Sequence, residues 1–174
     1  MSAVHEIPIP IQGCLEACER CCNVLDAITE EMFAGDRPDR QPIGAHLRHA
    51  LDHMNCFVRG LPEGIVDYDS RDRDAAIESD PRLLRKLLHE LMDALRSIPG
   101  ARLGDVIQVR QTASMDTEPL TLNSTVEREL VFLSSHTIHH LALVVQFCRE
   151  EGVNLPDETE LAYSTSAHLK TKAQ

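Results

Sequence analysis

Apolar residues recur every three or four positions in four stretches of this 174-residue chain, the period of helices that each bury one face. The first stretch runs from about Ile11 to Phe33 and stops before Gly35 and Pro38. The second begins near Pro42, places Ile43, Leu47, Ala50, Leu51, Met54, Val58 and Leu61 at core spacing, and ends at Pro62 and Gly64. The third opens with Asp80 as N-cap and Pro81 in the first helical position, then repeats Leu84, Leu87, Leu88, Leu91 and Leu95 as far as Pro99 and Gly100. In the fourth, Ser124 to Glu127 reads as a capping box ahead of Val126, Leu130, Leu133, Thr137, Leu141, Val144 and Phe147, with an end near Gly152. Between the third and fourth, DVIQVRQTA and PLTLNS alternate apolar with polar residues, the pattern of a short hairpin covering one end of the helices. The connection DYDSRDRDAAIESD is dense in both charges and reads as solvated, although Tyr68 and Arg71 could reach from it to the mouth of a site.

Length and composition agree with one all-α domain over residues 1–174, its helical core at about 11–152 and a C-terminal tail at 153–174. Two tyrosines, four phenylalanines and no tryptophan are few for packed strands, whereas Leu, Ala, Glu and Arg favour helices. A formal charge of -11 argues against a nucleic-acid partner, which needs clustered Lys and Arg. No uninterrupted apolar run of membrane-spanning length appears, and the start MSAVHEIPIP lacks the charged head and apolar middle of a leader. A soluble, cytoplasmic protein without a membrane partner is the expectation, and a homodimer the expected assembly.

Six cysteines are present, and Cys14, Cys18, Cys21 and Cys22 crowd into nine residues. The C-x3-C-x2-C spacing matches an iron-sulfur triad, yet positions 14, 18 and 21 also fall on one helix face, so the expectation is reduced thiols packed as small hydrophobes.

Six of the nine histidines lie in two short helical segments, His46, His49 and His53 in GAHLRHALDHM and His136, His139 and His140 in SSHTIHH. A histidine on an apolar helix is commonly a satisfied core or boundary residue. His136 and His140, four apart, share a helix face as a two-ligand clamp would, and the second helix brings further imidazoles to a facing shoulder. Three imidazoles around one divalent ion leave a position open for water or thiol, which the ion acidifies. By helical angle His46 and His53 lie nearer the core stripe than His49, so spacing alone leaves the choice among them open.

The combination of RHALDH on the second helix and HTIHH on the last long helix resembles the DinB/YfiT-like metalloprotein superfamily, over about Ile11 to Gly152. That resemblance implies a four-helix bundle and a metal site of His49, His136 and His140, with His53 as the substitute for His49. His139 would then point outward or support the ligands, and Asp52, in an H-x-x-D pattern with His49, or Glu129 would accept N–H groups from the imidazoles. It further implies one divalent ion, zinc, nickel or iron, and a small-molecule substrate. The reaction implied is that of a thiol S-transferase using a low-molecular-weight thiol, or of a hydrolase. A non-catalytic, stress-associated metal-binding bundle is the alternative, and a fourth protein ligand closing the site would mark it.

Overall fold

The computed structural model describes residues 6–35 and 38–172. Its four longest helices are α1 (Ile9–Ala27), α3 (Ile43–Gly60), α5 (Pro81–Arg96) and α6 (Val126–Glu150), and three shorter ones are α2 (Glu30–Ala34), α4 (Ala75–Ser79) and α7 (Tyr163–Lys172). The long helices close a ring in which α1 touches α5 and α6, and α3 touches the same two. Leu47, Leu51, Leu84, Leu95, Leu130, Leu133 and Leu141 are all but fully enclosed at its centre. Removing such side chains from water is the main source of stability.

The all-α four-helix expectation is corrected by a three-stranded mixed sheet among the described residues. β2 (Val106–Gln111) and β3 (Leu120–Thr125) form the antiparallel hairpin, from Val106 opposite Thr125 to Gln111 opposite Leu120. A third strand, β1 (Ile65–Asp67), adds in parallel, with Val66 opposite Val109. β1 falls at the junction between the end of the second helical stretch at Gly64 and the charged connection that begins at Asp67, and its pairing is with residues some forty positions later. The local pattern therefore carries no sign of it. Val66 and Ile107 are buried under the sheet, while Gly64 makes the tight turn out of α3 at a φ of 68°.

Two helix boundaries also differ from the sequence reading. The first stretch breaks at Ile28, which is extended, and Thr29 restarts the chain by accepting a hydrogen bond from the Met32 amide. At the fourth helix the cap is Thr125, whose side chain accepts from the Arg128 amide, so the Ser124 hydroxyl is left to donate to Glu129 instead. Asp80 caps α5 as expected, accepting from the amides of Arg82 and Leu83. The C-terminal tail includes α7, which docks on α1 where the Tyr163 hydroxyl donates to the Gly13 carbonyl at 2.7 Å. Residues 1–5, 36–37 and 173–174, part of the expected domain, lie outside the described residues.

By length and composition α6 could cross a membrane, but its apolar stripe is buried against α1 and α3.

Candidate metal centre

The site forms where α3 and α6 pass each other. On α3 the steps from His46 to His49 and on to His53 keep all three rings on one side, and on α6 the step from His136 to His140 does the same. One nitrogen from each of His49, His136 and His140 lies within 4.8 Å of the other two, so the trio could hold a metal ion. Ring centroids are 4.6 Å apart for His49 and His140, 5.2 Å for His49 and His136, and 4.7 Å for His136 and His140.

The trio fits a cation on two grounds. His136 Nε2 is enclosed without a hydrogen-bond partner, an arrangement that normally costs stability. The rings are also held neutral, the form that ligates. Burial and the neighbouring imidazoles pull the pKa values of His49 and His136 down to about 3 and that of His140 to about 4.

The remaining histidines differ in role. His53, 5% exposed, lies with its Nδ1 2.9 Å from the His49 carbonyl and its Nε2 3.3 Å from Arg71 Nη1. In this tautomer Nδ1 donates and Nε2 accepts, so both nitrogens are occupied. His46 Nδ1 lies 3.3 Å from His140 Nδ1, and burial followed by the charge of His139 lowers its pKa. His139 is exposed.

Asp52 and Glu129 do not orient the rings as expected. The Asp52 carboxylate accepts from Arg48 at 2.7 Å, and Arg48 also reaches Glu78. Glu129, 5% exposed, accepts from the Tyr68 hydroxyl at 2.8 Å and the Ser124 hydroxyl at 2.6 Å. These groups instead build the wall beside the histidines: Tyr68 stacks on His53 and contacts Phe132, and Phe132 stacks on His136. Beyond Phe132 an open cleft of about 600 Å³ is lined by Val109, Leu122, Ser124, Arg128 and Glu129 among others. Sequence reasoning named Tyr68 and Glu129 separately. Their pairing spans 61 positions and had no local signal.

The cysteines are free and buried. Cys14 Sγ donates to the Leu130 carbonyl at 3.1 Å, and Cys18 Sγ contacts Met54 Sδ at 3.6 Å. Among the described residues no cysteine joins a group with metal-holding spacing.

No family model matches the chain. It is similar to FK506-binding protein 5 of Rhizopus delemar, 28% identical over 107 residues, which make up 61% of this chain and 28% of that protein. The chain thus spans little more than a quarter of that relative, and the comparison assigns it to no family.

Proposed function

We propose that the chain is a metal-dependent enzyme that holds one divalent ion with His49, His136 and His140. Its reaction on a small electrophilic substrate would be thiol S-transfer or hydrolysis, the chemistry that the DinB/YfiT resemblance implies. The observation that carries this reading is the convergence of three neutral imidazoles from two helices, one with an enclosed nitrogen that bonds to nothing. When bound, the ion would supply Lewis acidity and acidify a thiol or water at the open position. The chain's own contribution is to keep the rings deprotonated by crowding and burial, and to fence one side with Tyr68 and Phe132. The likeness to FK506-binding protein 5 supplies no competing assignment, because it covers a small part of that protein and the name does not say which part takes FK506.

One arrangement bears on the second reading, a closed non-catalytic site: His46 Nδ1 lies 3.3 Å from His140 Nδ1, beside the trio but not part of it. Metal analysis separates these outcomes. The wild-type chain is expected to carry about one divalent ion, and His136→Ala or His140→Ala to lose it. Full metal content in both variants would refute the site. With cobalt bound, a new charge-transfer band on adding thiol supports the open site, and an unchanged spectrum the closed one.

A further inference from the structure

Among the described residues Arg71 is a cation without a counter-ion. Its Nη1 lies 3.3 Å from His53 Nε2 and 3.5 Å from His49 Nδ1, its Nε is enclosed with no partner, and among the described residues no carboxylate is within ion-pair distance of it. The surrounding acids are engaged elsewhere. Asp67 accepts from the amides of Asp69 and Ser70, Asp69 from Thr112, and Asp72 pairs with Arg59. Glu78 and Asp52 share Arg48. A half-buried guanidinium held among neutral imidazoles, with one donor bonded to nothing, is unfavourable as it stands.

Ligation would sharpen the deficit. A neutral imidazole has one donor and one acceptor nitrogen. If His49 Nδ1 binds the ion its lone pair is used, and if Nε2 binds it Nδ1 carries the proton. Either way Nδ1 stops accepting from Arg71. Among the described residues the guanidinium then keeps His53 alone as an acceptor, its charge uncompensated beside the reacting position.

We infer that Arg71 is the anion-recognition residue of this site, held in place by His53, and that the small molecule taken here carries a carboxylate or similar oxyanion next to its reactive group. The inference rests on the metal-site reading for where the reaction occurs. The anion site itself can be tested without metal. A planar guanidinium recognises oxyanions through paired N–H donors, and a charge-assisted hydrogen bond corresponds to roughly a ten- to hundredfold difference in affinity.

The first experiment uses the metal-free full chain with labelled histidines, following imidazole resonances by NMR while titrating propionate or its uncharged isostere propionamide. Propionate is expected to shift the His53 and His49 resonances saturably, at least about tenfold more tightly than propionamide. Arg71→Gln should abolish that preference and Arg71→Lys keep part of it, with circular dichroism showing both variants folded. Equal binding of the two probes, no binding of either, or a preference retained in Arg71→Gln would overturn the inference. The second experiment follows the visible spectrum of the cobalt-loaded chain with 3-mercaptopropionate against 2-mercaptoethanol. The carboxylate thiol is expected to bind more tightly in wild type and equally in Arg71→Gln. Equal affinities in wild type overturn the role of Arg71, whereas failure to take up cobalt overturns the metal reading and leaves the first experiment to decide on Arg71.

Discussion

Replacing Tyr68 with Phe removes one hydroxyl and leaves the ring that packs against His53 and Phe132. Glu129 is buried, and its carboxylate is satisfied by two hydroxyls, Tyr68 at 2.8 Å and Ser124 at 2.6 Å. The cation near it, Arg128 at 3.7 Å, has a side chain 61% exposed, so solvent weakens that pair. Burial, then the nearby Glu129 charge and the hydrogen bond to it, push the Tyr68 hydroxyl above its ordinary pKa, so it stays a donor over the working range. A hydrogen bond to a charged group contributes about 1.5–3 kcal/mol, and the carboxylate left behind is under-solvated. Tyr68→Phe should therefore lower stability by about that amount, or roughly 3–12 °C in Tm for a chain of this size. Urea unfolding of the wild type, Tyr68→Phe, Glu129→Leu and the double variant, in which Leu offers the Tyr68 hydroxyl no acceptor, forms a cycle whose coupling should reach about 1 kcal/mol or more. A coupling below about 0.5 kcal/mol would show that the bond does not brace this wall.

Two further outcomes follow from the packing. Burial pushes the thiols of Cys14 and Cys21 up to about 12 and that of Cys18 well above its ordinary value, whereas an unfolded thiol ionises near about 8.5. The folded state keeps protons that the unfolded state releases, so this stability is complete below about pH 8.5 and declines as pH rises towards 12. Denaturation midpoints across that window test the decline, and rapid stoichiometric labelling of the native thiols at pH 8 would contradict their burial. Gly44→Ala sets two effects against each other, since alanine favours a helix by about 1 kcal/mol but a Cβ at Gly44 would sit 2.2 Å from the Glu78 carbonyl oxygen and 2.9 Å from the Phe33 ring. Net destabilisation of about 1–3 kcal/mol is expected, and a stabilised variant in urea unfolding would show that α4 does not rest on α3.

The parts of the fold legible in the sequence are those fixed by neighbours in the chain. Asp80 and Pro81 mark the start of α5 because the cap and the missing amide act within one turn. The break after α1 escapes notice because Ile28 and Thr29 continue the apolar rhythm, and the cap that restarts the helix depends on one hydroxyl. β1 needs a partner strand from elsewhere, so three residues of mixed polarity give no warning of it. The site divides in the same way. Helical spacing puts the histidines of each helix on one face, but which of His46, His49 and His53 meets His136 and His140 depends on how α3 is rotated against α6. Arg71 is visible as a residue able to reach the site, yet its lack of a carboxylate follows only once Asp67, Asp69 and Asp72 are seen bonded elsewhere.

The position of the histidines relative to the core bears on what an ion there could do. Chains below about 70–80 residues often need a staple such as a structural ion, because they cannot bury enough apolar surface alone. This chain has 174 residues, and its core continues past the site on both helices that carry it, through Leu47 and Leu51 on α3 and Leu130, Leu133 and Leu141 on α6. His49, His136 and His140 are only half-buried, so they sit at the rim of that core. Where metal binding supplies the folding free energy, a chelator unfolds the protein. Here chelation should leave helicity intact and lower Tm only by the mass-action stabilisation that a bound ligand gives. Loss of helicity on chelation would move the ion from the chemistry to the scaffold, and with it the balance from the catalytic reading to the closed, non-catalytic one.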